Sequence, residues 1–186
     1  MEEMIREYRI FLPDFCYFTP EEWAAKGHEY DEIRVNMLGW DITDYGLGRF
    51  QEIGFSLITL RNGNLKKSDK YPKSYAEKLL YLEEGQYAPM HFHWAKMEDI
   101  INRAGGTVRI RVYNSHEDES IDYESPVTVH TDGREIKVPA GTQIRLQPGQ
   151  SITITPLLYH DFTVEPYGGP VRRLPVFRRF PSVRPT

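Results

Sequence analysis

The sequence predicts an all-β fold of short strands closed into a barrel, with a short helical arm ahead of it. Three observations carry that prediction. Residues 107–114 alternate Val108, Ile110 and Val112 with Arg109, Arg111 and Tyr113, the period of a strand buried on one face. Thr131-Asp132-Gly133-Arg134 links two apolar runs through an Asp-Gly pair, which supplies the positive φ angles of a two-residue hairpin. From Gly39 onward, short runs rich in β-formers are separated by Gly, Pro and Asn, the pattern of a sandwich or a barrel, and closure removes exposed edges.

In chain order, Thr19-Pro20-Glu21-Glu22 reads as a helix start: Thr19 caps, Pro20 takes the first position and Glu22 completes a capping box. Residues 29–38 read as a second helical piece with Tyr30, Ile33 and Met37 on one face. Strands are predicted at 52–61, closed by Asn62-Gly63-Asn64, and at 75–83, 107–114, 127–130 and 135–138. Further strands at 143–146 and 151–155 flank Gln147-Pro148-Gly149-Gln150, and one at 161–165 follows the break at Pro156. The expected organisation is one domain over 1–186: a helical arm at 1–38, a barrel at 39–166 and an atypical tail at 167–186.

With 186 residues, 40% hydrophobic and 27% charged, the chain has the size of one full core. A net charge of −4 argues against general attraction to nucleic acid or anionic lipid. No apolar run approaches the roughly 20 residues that span a bilayer, and the start lacks the apolar stretch of a secretory signal. Cys16 has no second cysteine to pair with, which suits a reducing compartment, so the cytoplasm is the expected location.

Most of the chemical information lies between Gly85 and Gly105. His91 and His93 stand at i and i+2, a spacing that places both imidazoles on one side of a strand. Glu98 follows after a turn and offers a carboxylate, and His160 is the fourth candidate ligand. Three imidazoles and a carboxylate suit a first-row divalent ion, Mn²⁺, Fe²⁺, Co²⁺, Ni²⁺ or Zn²⁺. His28, His116 and His130 lack such neighbours and read as solvated or structural. Phe92, Trp94 and Tyr159 are candidates for an apolar floor under a bound ligand, and Arg103, Arg109 and Arg111 read as surface charge.

The spacing Gly85-x5-His91-x-His93-x4-Glu98-x6-Gly105 resembles the first motif of the cupins, and Pro148-Gly149 followed eleven residues later by His160 resembles the second. The flanks narrow this. Trp40-Asp-Ile-Thr-Asp-Tyr-Gly-Leu-Gly48, Ile58-Thr-Leu-Arg-Asn-Gly-Asn64, Pro89-Met-His-Phe-His-Trp-Ala-Lys-Met-Glu-Asp-Ile-Ile-Asn-Arg103 and Val138-Pro-Ala-Gly-Thr-Gln-Ile-Arg-Leu-Gln-Pro-Gly149 are similar to the D-lyxose isomerase family of cupins, from about Phe11 to about Pro166. The resemblance implies a jelly-roll barrel, a homodimer, Mn²⁺ or a similar ion on His91, His93, Glu98 and His160, and interconversion of D-lyxose with D-xylulose, also of D-mannose with D-fructose, through an enediol. It also implies a catalytic and substrate-binding role for Lys96, in the pattern His-x-His-x-x-Lys-x-Glu.

After Pro166 the similarity ends. Relatives carry a glutamate there that is the leading candidate for the proton-transferring base, whereas this sequence has no Asp or Glu beyond Glu165 and lacks the apolar alternation of a closing strand. Two readings of different class follow: a working isomerase whose base is another group, or a metal- and sugar-binding cupin with impaired catalysis. A cupin dioxygenase is a third, which leaves the isomerase-like flanks unexplained.

Overall fold

The computed structural model of the protein describes residues 1–165 and the backbone of 174–181. The arm contains α1 (Glu2–Glu7), α2 (Pro20–Ala24) and α3 (Asp31–Val35). The capping box is formed: Glu22 N donates to Thr19 Oγ1 at 3.2 Å and Thr19 N donates to Glu22 Oε2 at 2.8 Å. The second helical piece is shorter than predicted, because Met37 turns to φ 54 and lies 77% exposed instead of extending an apolar face.

The strands are β1 (Gly39–Thr43), β2 (Phe55–Arg61), β3 (Tyr75–Leu82), β4 (Tyr87–His91), β5 (Glu98–Asn102), β6 (Thr107–Ser115) and β7 (Ile121–Asp122). They continue with β8 (Val127–Thr131), β9 (Arg134–Val138), β10 (Gln143–Leu146), β11 (Ser151–Ile154), β12 (Tyr159–Glu165) and β13 (Leu174–Pro181). One sheet has the order β1-β2-β3-β13-β5-β11-β8-β9; the other runs β10-β6-β12-β4, with β7 on β6. A bridge between Ile53, two residues ahead of β2, and Tyr87 of β4 ties one sheet to the other. The hairpin forms as predicted, with Asp132 at φ 49 and Gly133 at φ 77 between β8 and β9.

The main core lies between the sheets and includes Leu57, Leu80, Ile100, Ile110, Val112, Ile152 and Phe162. A second cluster joins Met4, Ile5 and Cys16 of the arm to Ile58, Leu79 and Tyr81, so β2 and β3 are covered on both faces and the arm packs outside the barrel. Covering both faces erases the alternation that betrays a half-buried strand.

The C-terminal segment corrects an expectation. It supplies a strand despite its unpromising pattern: β13 lies antiparallel between β3 and β5. Only Val176–Arg179 pair on both sides, while Pro175 and Pro181 fall where the strand has β3 alone as neighbour, so each proline can lack its N–H without breaking a two-sided ladder. Pro166 and the rest of the predicted tail, 167–173 and 182–186, lie outside the described residues.

Candidate metal centre

His91 ends β4, His93 stands two residues beyond in the following loop, Glu98 opens β5 and His160 is the second residue of β12. Their convergence is a matter of register. β12 runs antiparallel to β4 with His160 opposite His91, which brings their rings to 4.3 Å between centroids. His93 lies 4.9 Å from His91 and 5.5 Å from His160, ring to ring. One nitrogen from each imidazole falls within 4.8 Å of the others, so a small approach brings all three to about 2.1 Å from a common centre. Among the described residues this is the one such cluster.

Two tautomers are fixed by the backbone. His91 Nδ1 lies 2.7 Å from the carbonyl of Pro89, and His160 Nδ1 lies 3.0 Å from that of Leu158. A carbonyl only accepts, so each Nδ1 carries the proton and each Nε2 is left with a lone pair, the arrangement that orients metal-ligating histidines.

Glu98 approaches two of the three imidazoles, with Oε1 2.9 Å from His93 Nε2 and Oε2 4.0 Å from His160 Nε2. Its side chain is fully buried, as is that of His160. A carboxylate in such a place requires a cation, and the Lys96 ammonium, 38% exposed, reaches Glu98 Oε1 from the loop. His93 Nε2 is buried and makes no well-aligned hydrogen bond, although Glu98 is near. Buried nitrogen and oxygen donors directed at one another fit a borderline divalent cation. His91, His93, His160 and Glu98 are the residues that would hold it.

Aromatic side chains adjoin the ligands along the chain. Along β12 the even positions His160, Phe162 and Val164 are buried, and the odd positions Tyr159, Asp161 and Thr163 face outward. Phe92 packs edge-on against Tyr159 at 4.8 Å and against Trp94 at 4.9 Å, and Trp94 is 63% exposed. Phe92 and Trp94, expected in an apolar floor, thus form an aromatic cluster with Tyr159. Arg111 donates from Nε to Asp161 at 3.0 Å and Arg109 pairs with Glu165 at 3.1 Å on that outer face, surface charge as predicted.

One contributor had no signal in the sequence. Leu157 adopts φ 64 and donates its amide to the carbonyl of His93 at 2.8 Å, fastening the His93 loop to the approach of β12. Glycine would have marked such a left-handed position; leucine hides it.

A family model described as D-lyxose isomerase matches residues 1–174. The D-lyxose/D-mannose isomerase of Escherichia coli O157:H7 is 41% identical over 164 residues, which cover 88% of this chain and 71% of that protein. The D-lyxose/D-mannose isomerase of Serratia proteamaculans is 40% identical over 162 residues, 87% of this chain and 70% of that one. Among solved structures, Acinetobacter sp. DL28 L-ribose isomerase in complex with L-ribose has a TM-score of 0.53 at 12% identity, covering 97% of this chain and 76% of that one. Cellulomonas parahominis L-ribose isomerase with L-psicose has a TM-score of 0.52 at 17% identity, with 97% and 79% covered. These structures share the fold, and the expected cupin-type barrel is the fold observed. No helix among the described residues is long and apolar enough to cross a membrane. The sequence matches make the chain a member of the D-lyxose isomerase family of aldose–ketose isomerases.

Proposed function

We propose that this protein is a divalent-metal-dependent isomerase that interconverts D-lyxose with D-xylulose and D-mannose with D-fructose, with Mn²⁺ as its ion, working as a homodimer in the cytoplasm. The observation that carries the reading is the convergence of His91, His93 and His160 beside a buried Glu98 in a member of this family. The substrates follow the names of the two relatives at about 40% identity.

The reaction moves one proton between C2 and C1 and one between the two oxygens, through an enediol, with no net change in atoms or electrons. A bound divalent ion supplies Lewis acidity that withdraws charge from the sugar's carbonyl and neighbouring hydroxyl. His91 and His160 arrive with their tautomers set, so little reorganisation accompanies binding. Glu98 contributes a negative charge shielded from water, which strengthens its hold on a cation. Lys96 is partly exposed next to it, where its Nζ donates to a sugar oxygen as negative charge develops during enolisation.

A second reading, a metal- and sugar-binding cupin with impaired catalysis, is favoured by one observation: the sequence holds no Asp or Glu from 166 to 186. One experiment separates them. Protein stripped by chelator is reloaded with Mn²⁺ and assayed for D-lyxose and D-mannose conversion, beside His91→Ala and Lys96→Ala. The isomerase reading requires turnover restored by metal, abolished in His91→Ala and strongly reduced in Lys96→Ala. Metal and sugar binding without turnover gives the second reading.

A further inference from the structure

One loop outside the ligand set reaches the metal centre. Residues 44–49 follow β1, and within them the Tyr45 ring lies 6.4 Å from the His91 ring and 6.2 Å from that of Phe55. Tyr45 is 40% exposed, so its ring borders both the histidine cluster and solvent. Its backbone is left-handed, at φ 58, a conformation unfavourable for a bulky side chain. Gly46 at φ 75 and Gly48 at φ 67 share the left-handed region, and a glycine at position 45 would adopt it freely. The loop instead presents an aromatic side chain at a strained position.

The surroundings hold that conformation in place. Tyr45 N donates to Thr43 Oγ1 at 3.2 Å, Gly46 N to Asp44 Oδ1 at 2.8 Å and Leu47 N to the Asp44 carbonyl at 3.1 Å. Beneath the loop, Gly54 comes so close that a Cβ there would lie 1.8 Å from the Thr43 carbonyl oxygen. Strain held by its surroundings beside a reactive cluster is characteristic of residues that serve a site.

We propose that Tyr45 is a substrate-positioning residue, whose ring packs against the C–H face of the sugar while the sugar's oxygens face His91, His93 and Glu98. A polyhydroxy chain has apolar C–H surface between its hydroxyls, and an aromatic ring offers flat apolar area at small entropic loss. Tyr45 is the ring packed beside His91, whereas Phe92 packs with Trp94 and Tyr159. The assignment rests on the isomerase reading for its substrate class.

The test compares wild type, Tyr45→Ala and Tyr45→Phe, each loaded with Mn²⁺. Four quantities are measured: Mn²⁺ affinity by calorimetry, the melting temperature, D-mannose affinity by equilibrium dialysis, and kcat and KM. Tyr45→Ala should keep its Mn²⁺ affinity within twofold, and should raise both the sugar dissociation constant and KM about tenfold with kcat within threefold. Tyr45→Phe should recover most of the lost sugar affinity. Unchanged sugar affinity in Tyr45→Ala, a tenfold loss of Mn²⁺ affinity, or equal impairment of Tyr45→Phe each overturns the assignment. Absence of turnover in the wild type overturns the isomerase reading alone, because ring-dependent sugar binding still upholds Tyr45.

Discussion

Asn102 ends the strand that Glu98 begins, and its buried amide fastens two turns at once. Nδ2 donates to the Gly106 carbonyl at 2.7 Å and to the Leu146 carbonyl at 2.8 Å. Its backbone accepts from Gly149 N at 2.7 Å and donates to the Gln150 carbonyl at 2.9 Å. Asn102→Ala removes both side-chain bonds and leaves two carbonyls without that donor, at about 1–3 kcal/mol each. Part of this is returned, because Asn102 Oδ1 is itself buried without a hydrogen bond among the described residues, and its removal relieves about 1 kcal/mol. The net loss is about 3 kcal/mol, equivalent to about 6–12 °C in melting temperature for a chain of this size. Asn102→Asp should be worse, since it sets an anionic oxygen against the two carbonyls. Urea unfolding with an unchanged m-value measures the first quantity, and calorimetry measures Mn²⁺ binding of the folded variant. That binding should persist, because Glu98 lies at the other end of β5 and is held there by its pairing with Ile154. A loss below about 1 kcal/mol in Asn102→Ala would refute the reasoning, by showing that the carbonyls find other donors.

Asp122 accepts from Ser125 Oγ and from the backbone amides of Ser125 and Glu124, which hold its carboxyl down at about 2. The folded value is below the ordinary one, so the stabilisation is complete above about pH 4 and is lost as pH falls towards 2. The melting temperature of Asp122→Asn should therefore fall less than that of wild type across this window, and parallel curves would contradict the assignment. Burial pushes the Cys16 thiol up to about 11, so a disulfide reagent at pH 8 should leave the native protein unlabelled over minutes and modify one thiol per chain after unfolding. Gly54→Ala forces a Cβ into the Thr43 carbonyl at φ +119 and should lose about 3 kcal/mol or more in urea unfolding. Gly85→Ala, at φ +86 with nothing near, should lose only about 1–2 kcal/mol, and equal losses would show that the backbone angle alone decides.

Elements whose defining feature is local were legible in the sequence. The capping box at Thr19, the Asp132-Gly133 hairpin and the alternation of β6 depend on neighbours a few positions apart, and each forms where it was read. α1 and β1 were missed. α1 has only six residues, and β1 is an edge strand that leaves Trp40 and Ile42 exposed, so neither carries a full period of burial. β13 was discounted because its pattern is poor, and its position depends on the gap between β3 and β5 that it fills.

The sequence by itself determined the donor chemistry: which residues could bind a divalent ion, and at what spacing His91, His93 and Glu98 follow one another. Tertiary structure alone decided that His160 stands opposite His91, that Lys96 neutralises Glu98, and that Phe92 packs against Tyr159. It also brought Tyr45 to the edge of His91. The reason is physical. Spacing along a strand sets which side of the chain a residue occupies, but the pairing partner and register of that strand are set by burying the whole core at once, and no short stretch of sequence contains that information.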